Sequence, residues 1–134
     1  MAACVAVIED DPACGELLCD LLSEEGYAVH LFSDSATAVR CLRDLAPAAI
    51  ILDLRLENPT AGWEVLADLR RDPALHATSV LVCSADHSAL RERAVDLERQ
   101  GCAMLAKPFD LDELLVLLQQ LLQGALWTRP LLVP

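Results

Sequence analysis

The chain has 134 residues, of which 54% are hydrophobic and only 4% are aromatic. This length and composition suit one ordinary domain with an aliphatic core, and they exclude a disordered chain. Ten Lys and Arg residues against 21 Asp and Glu residues give a formal net charge of -11, which opposes a phosphate backbone and disfavours direct nucleic-acid binding.

Short apolar runs alternate with helical patterns along the chain. The five strand candidates are Cys4–Ile8, Ala28–Phe32, Ala48–Leu52, Val80–Cys83 and Ala103–Ala106. The five helix candidates, with apolar residues at helical spacing, are Pro12–Glu25, Ser35–Leu45, Gly62–Arg71, Ser88–Gln100 and Leu111–Gln123. Strict alternation predicts parallel strands joined by right-handed crossovers, with helices on both faces of a doubly wound α/β sheet.

Capping residues agree with these boundaries. Asp11 and Pro12 are typical of an N-cap and the first helical position, and Asp110 can cap the last helix. Gly26 and Gly101 follow helix ends, where glycine is favoured.

The last helix and the residues after it are unusually apolar. One helical stripe is formed by Leu111, Leu114, Leu115, Leu118, Leu121 and Leu122. Val116 and Leu117 add apolar surface outside that stripe, so the helix is either buried in its own domain or a surface for a partner protein or a homodimer. We expect residues 1–123 to form the domain and residues 124–134 an apolar C-terminal tail, which packs on its own domain or on a second copy.

The six cysteines form no Cys-x-x-Cys pair, which argues against zinc and favours free thiols that lie in the core, in a reducing compartment. The N-terminus lacks the pattern of a secretory signal, and the apolar run Leu114–Leu118 is too short to cross a bilayer. We therefore expect a cytoplasmic protein that does not interact with membranes.

Polar side chains follow four of the five predicted strands. They are Glu9, Asp10 and Asp11 after the first, Asp53 after the third, Ser84 and Asp86 on either side of Ala85 after the fourth, and Lys107 after the fifth. Because the carboxyl ends of parallel strands share one edge, these residues are expected to meet in a crevice there. Facing carboxylates repel each other unless a cation or a proton relieves them.

Few carboxylates with room for water suit Mg²⁺, which also leaves positions for phosphate oxygens. Asp53, at a strand terminus, can act as a carboxylate nucleophile toward phosphorus. Lys107 and the metal would neutralise the phosphoryl oxygens in a loose transition state. The set therefore predicts a Mg²⁺-dependent aspartyl phosphate, although each residue alone has a structural explanation as a cap, a turn or a solvated charge.

In order, these segments resemble the receiver domains of bacterial two-component response regulators, over roughly residues 3 to 123. The matching segments are Val5–Pro12, Ile50–Leu54, Gly62–Leu66, Val80–Ala85 and Lys107–Phe109. The resemblance implies a flavodoxin-like (βα)5 fold with strand order 2-1-3-4-5, like that of the chemotaxis receiver CheY.

The resemblance also implies roles for the site residues. Glu9, Asp10, Asp53 and the backbone carbonyl of Arg55 would hold Mg²⁺, directly or through water. Asp53 would be the phosphoacceptor.

Three further roles come from the same resemblance. Ser84 would turn its hydroxyl toward the phosphoryl group, and Lys107 would supply the counter-charge, with a peptide bond to Pro108 that is usually cis in the family. Asp11 matches the next acid of the motif and is expected to cap the first helix.

Departures from the family pattern affect signalling. Met104 stands where the family usually has Tyr or Phe, so the usual coupling of hydroxyl movement to an aromatic swing would need repacking of a flexible methionine. Ala85 and Asp86 are the other switch or tuning positions. Arg55 and Asp86 are hypothesised to approach across the site and restrict the attacking water.

As a whole, the resemblance implies a receiver in a phosphorelay, and because the sequence stops about where a receiver ends, we expect a stand-alone receiver. It would catalyse only its own phosphorylation and dephosphorylation, receive the group from a sensor histidine kinase or phosphotransfer protein, and act on a downstream protein target.

Three alternatives stay open at this point. An aspartyl-intermediate phosphatase should have a second Asp where Arg55 stands, and a flavin-binding module should have hydroxyls where Glu9, Asp10 and Asp11 stand. A phosphorylation-independent interaction module on the same fold is favoured by Met104 and by two departures from the family's loop lengths. The loop Leu54–Ala61 is one residue longer than the common form, and the turn Gln100–Ala103 is one residue shorter.

Overall fold

A computed structural model describes residues 2–123 of the chain. Its five strands are β1 (Cys4–Ile8), β2 (Ala28–Phe32), β3 (Ala49–Asp53), β4 (Ser79–Ser84) and β5 (Cys102–Ala106). They form one parallel sheet in the order β2-β1-β3-β4-β5. The predicted doubly wound sheet and its strand order are therefore confirmed, with strand ends displaced by one residue at β3, β4 and β5.

The helices are α1 (Pro12–Glu24), α2 (Ser35–Leu45), α3 (Ala61–Arg71), α4 (His87–Glu92), α5 (Ala94–Arg99) and α6 (Leu111–Leu122). The prediction of one helix over Ser88–Gln100 was wrong, because the chain leaves helical geometry at Arg93. There the guanidinium lies 4.3 Å from the centre of the Trp63 ring and binds Asp96 at 2.9 Å. The helix is thus interrupted where Arg93 contacts Trp63 of α3. Neither Gly nor Pro stands there to indicate the interruption in the sequence.

The predicted caps are confirmed. The Asp11 carboxylate accepts the Ala13 amide at 3.2 Å, and Pro12 is the first residue of α1. Asp110 caps α6 by accepting the Asp112 amide at 2.9 Å. The two helix-terminating glycines, Gly26 and Gly101, have φ angles of 93° and 78°, a region that residues with a Cβ rarely adopt.

Two apolar clusters lie on opposite faces of the sheet. Helices α1 and α6 cover one face, and α2 to α5 cover the other. Successive residues of β1 and β3 alternate between the clusters, and every residue of β3 is buried. This two-sided burial explains the continuous apolar runs and the absence of polar alternation in the central strands.

The final helix is mostly covered. Leu114, Leu118 and Leu121 are buried, whereas Val116 is 51% exposed. The proposed tail, residues 124–134, lies outside the described residues. Within residues 2–123, helices long and apolar enough to cross a membrane are absent.

All six cysteines are free. Cys83 and Cys102 are buried as expected of core thiols, but Cys41 is exposed on α2. For Cys41 the expectation of a core position was wrong, because its side chain projects from the solvent face of an amphipathic helix.

Candidate functional site

Three carboxylates and one ammonium converge at the carboxyl edge of the sheet. Glu9 and Asp10 follow β1, and Asp53 ends β3, the strand paired directly with β1. One carboxylate oxygen from each of these three residues lies within 4.8 Å of the others. Adjacent parallel strands thus bring Asp53 close to Glu9 and Asp10, which precede it by 44 and 43 positions in the sequence.

Lys107 lies between two of these acids. Its Nζ atom donates to the Glu9 carboxylate and to Oδ2 of Asp53 at 3.0 Å. The Glu9 and Asp53 side chains are almost fully buried, and that of Lys107 is mostly buried. One ammonium therefore partly compensates a cluster that carries three formal negative charges.

The electrostatics of the cluster are dominated by burial. Burial raises the pKa of Glu9, Asp53 raises it further, and the bond from Lys107 only partly offsets the increase. Burial by itself would lower the pKa of Lys107, but its bonds to Glu9 and Asp53 outweigh burial and raise it. Lys107 is therefore held as an ammonium, whereas the anionic form of Glu9 is disfavoured relative to an exposed glutamate.

The donor set fits a hard divalent cation. It offers carboxylate oxygens, retains net negative charge beside Lys107, and includes the exposed Asp10, which leaves the cluster open to water. Mg²⁺ prefers such sites because it keeps several water ligands. Near the cluster, the Arg55 amide donates to Asp53 Oδ1 at 3.1 Å, so the chain turns back on the carboxylate directly after β3.

Ser84, Ala85 and Asp86 lie at the end of β4, at the same edge. Ser84 is buried, and its hydroxyl oxygen accepts the Asp86 amide at 3.1 Å. Asp86 caps α4 by accepting the Ala89 amide at 3.1 Å, while Ala85 is exposed. Within residues 2–123 the hypothesised approach of Arg55 to Asp86 does not produce an ion pair within 4.0 Å.

Two further predicted positions lie in the middle of β5 and directly after Lys107. Met104 is half-buried and packs against the α2 to α5 cluster, where Trp63 also packs. The Lys107–Pro108 bond is cis, as the resemblance implied.

Gly62 has a steric role at the site that spacing arguments did not predict. A Cβ atom there would lie 2.5 Å from the Leu54 carbonyl oxygen and closer still to that of Asp53. The Gly62 amide donates to the Leu54 oxygen at 3.1 Å. Only glycine lets the start of α3 pack this closely on the end of β3.

The contact of Glu57 with Ser35 was also not predicted from the sequence. Its carboxylate accepts the Ser35 amide at 3.1 Å and binds the Ser35 hydroxyl, whose donation lowers the pKa of Glu57. This contact ties the loop after Asp53 to the start of α2. Sequence reasoning had no signal for it, because the partners are 22 residues apart and belong to no recognisable motif.

Comparison with known proteins agrees with this geometry. The response regulator receiver domain family matches residues 5–119. The transcriptional regulatory protein TcrA of Mycobacterium tuberculosis is 35% identical over 126 residues, covering 94% of this chain and 48% of TcrA. The response regulator MprA of a Mycobacterium species is 34% identical over 119 residues, covering 89% of this chain and 50% of MprA.

Solved structures show the same architecture. The receiver domain of a sensor histidine kinase from Pseudomonas aeruginosa, with a magnesium ion coordinated in its active site cleft, has a TM-score of 0.79 and 26% identity, covering 92% of this chain and 99% of that one. The chemotaxis response regulator CheY4 of Vibrio cholerae has a TM-score of 0.79 and 24% identity, covering 90% of this chain and 99% of that one. At this identity the likeness concerns the fold alone.

The chain spans about half the length of the curated relatives it matches. Its sheet order and the family match over residues 5–119 agree with one another. The chain belongs to the response regulator receiver domain family of two-component signalling systems.

Proposed function

We propose that this receiver accepts a phosphoryl group on Asp53 with Mg²⁺ bound by Glu9, Asp10, Asp53 and the backbone carbonyl of Arg55. Phosphorylation and Mg²⁺ binding are general properties of the family. The observation that carries the proposal for this chain is the convergence of three carboxylates with the Lys107 ammonium. The magnesium ion in the Pseudomonas receiver supports the same choice of metal.

In the proposed reaction an Asp53 carboxylate oxygen attacks phosphorus, and the bond from phosphorus to the donor's leaving group breaks. The bound metal would supply positive charge to the phosphoryl oxygens. Lys107 supplies a second positive charge from the side of Glu9, and the buried Ser84 hydroxyl can exchange its bond with the Asp86 amide for one to a phosphoryl oxygen.

In this proposal the chemistry is limited to the protein's own phosphoryl group, because Arg55 stands where an aspartyl-intermediate phosphatase should have a second Asp. Loss of phosphate would occur by attack of water on the phosphorylated Asp53. Receiver domains are signalling modules, and in this proposal the chain acts on no external substrate.

The proposed partners are a sensor histidine kinase or phosphotransfer protein as donor and a downstream protein as target, all in the cytoplasm. Receiver domains interact with histidine kinases as a family. We further propose that residues 1–123 form the receiver domain, and that α6 and the tail 124–134 provide the surface for a homodimer. Exposure of Val116 on α6 supports that surface, and the charge of -11 argues against direct nucleic-acid contact.

Intact-mass measurement tests the proposed phosphorylation. The protein is incubated with Mg²⁺ and a small acyl or amido phosphate, and the expected result is one added phosphoryl group. Asp53→Asn should remain unmodified because its amide is not a nucleophile, and EDTA should prevent modification of the wild-type protein.

A second candidate is an interaction module that needs no phosphorylation, favoured by Met104 at the usual aromatic position. A wild-type protein that stays unmodified, while a phosphorylatable receiver treated in parallel gains mass, would favour this second candidate. Modification that persists in Asp53→Asn would contradict the assignment of the phosphoacceptor.

A further inference from the structure

His87 contacts the backbone of Lys107. The residue begins α4, and its ring Nε2 donates to the Lys107 carbonyl oxygen at 2.6 Å. The ring is exposed, so a core-packing role does not explain its place. The His87 ring is therefore held by its hydrogen bond to the backbone of Lys107, the residue that supplies the ammonium of the site.

Lys107 is held at three points. Its amide donates to the Ser84 carbonyl oxygen at 2.9 Å, its carbonyl accepts from His87, and its Nζ reaches Glu9 and Asp53. Holding the amide and the carbonyl of one residue restricts both of its backbone torsions. The direction of its Cα–Cβ bond, from which the ammonium extends to the acids, is then restricted as well.

The contact also connects two parts of the site. Ser84 precedes His87 by three residues, and Asp86, which caps α4, is its neighbour. The segment that carries the hydroxyl therefore binds Lys107 twice, through the Ser84 carbonyl and through the His87 ring. A displacement of Ser84 or of α4 would be transmitted to the lysine.

We infer that His87 is a positioning residue for Lys107. It keeps the Lys107 ammonium beside the Asp53 carboxylate during phosphoryl transfer. This inference rests on the proposed phosphorylation of Asp53. It needs a proton on Nε2, which both the imidazolium and one neutral tautomer provide. A side chain that positions a charge used in the transition state should affect the maximal rate more than donor binding.

The test compares His87→Ala and His87→Gln with the wild-type protein. Initial phosphorylation rates are measured by mass against the concentration of a small phosphodonor, at saturating Mg²⁺. Loss of one hydrogen bond worth about 1 kcal/mol corresponds to a rate reduction of about fivefold. We expect that reduction in the maximal rate of His87→Ala, with an unchanged half-saturating donor concentration, and partial recovery in His87→Gln, whose amide can donate to the same carbonyl.

His76→Ala is the matched control, because His76 is also exposed but lies in the turn before β4, at the opposite edge of the sheet. Its maximal rate should equal that of the wild-type protein. A wild-type maximal rate in His87→Ala, or equal losses in His87→Ala and His87→Gln, would overturn the inference.

A readout that needs no phosphorylation separates this inference from the proposed function. In ¹⁵N NMR spectra of the unphosphorylated protein, His87→Ala should shift the Lys107 amide and ammonium signals, and His87→Gln should shift them less. If the wild-type protein is not phosphorylated at Asp53, the proposed function fails. Unchanged Lys107 signals in His87→Ala would instead remove the positioning role.

Discussion

At the scale of single residues, the site is defined by an imbalance of charge. Lys107 contacts two of the three clustered carboxylates, and burial still raises the pKa of Glu9. A charge that the fold disfavours is costly to stability until a cation binds. The same imbalance that would attract a divalent ion is therefore expected to destabilise the metal-free protein, and it predicts how stability responds to substitution and to pH.

We predict that Glu9→Gln raises the free energy of unfolding at pH 7 in the presence of EDTA, by on the order of 1 kcal/mol. The substitution removes a disfavoured buried charge with little change of shape. Urea denaturation with and without Mg²⁺ is the measurement, and the variant should lose most of the stabilisation by Mg²⁺ that the wild-type protein shows. Glu16→Gln, an exposed position on α1, is the control and should change neither quantity.

The pH dependence of stability follows from the same pKa. Because the folded protein raises the pKa of Glu9, it binds the Glu9 proton more tightly than the unfolded chain does. This contribution to the free energy of unfolding therefore rises as pH falls from neutrality through the folded-state pKa of Glu9, and it levels off below the unfolded-state pKa. Glu9→Gln should lack this rise in metal-free buffer, and a rise of equal size in both proteins would contradict the assignment to Glu9.

At the scale of elements, contacts at the ends of helices and strands shape the site. The start of α3 packs against the backbone of Asp53 and Leu54, and Glu57 fastens the intervening loop to Ser35 at the start of α2. Trp63, the next residue after Gly62, stacks with Arg93 between α4 and α5. A continuous series of contacts therefore connects the end of β3, through the start of α3, to the junction of α4 and α5.

We predict that Gly62→Ala destabilises the protein by about 1–3 kcal/mol, because a Cβ atom there would overlap backbone atoms that cannot rotate away. The matched control is Gly15→Ala in α1, where the added Cβ would meet only the tip of the Leu31 side chain at 3.1 Å. Leu31 is partly exposed and can move, and alanine favours helix. Urea denaturation should separate the two variants, and equal stabilities would show that the start of α3 can move without cost.

At the scale of the whole molecule, stability depends on two cores separated by the sheet. The central strands contribute side chains to both clusters. Loss of packing on one face should therefore destabilise the strands that also carry the site residues. The helix α6 covers the face opposite α3 and has both a buried and an exposed side. Substitutions on its buried side therefore test packing within the domain, and substitutions on its exposed side test the proposed homodimer.

We predict that Leu118→Ala lowers the free energy of unfolding by about 2–5 kcal/mol, since Leu118 is fully buried in the α1 and α6 cluster. Val116→Ala should change it by less than about 0.5 kcal/mol in dilute protein, because Val116 is half exposed. Thermal unfolding at several protein concentrations checks both values. A stability of wild-type protein that rises with concentration, and ceases to do so in Val116→Ala, would support the proposed homodimer through α6.

The sequence by itself determined the fold class, the strand order through the family resemblance, and the loops that hold the acids and the lysine. These features follow from local patterns: apolar runs and helical spacing set the elements, and parallel strands place their carboxyl ends at one edge. Only the tertiary structure decided how Lys107 divides its bonds between Glu9 and Asp53, where Glu57 and His87 bind, and that the helix breaks at Arg93. Those contacts join residues distant in the chain, and their geometry depends on packing that no local pattern encodes.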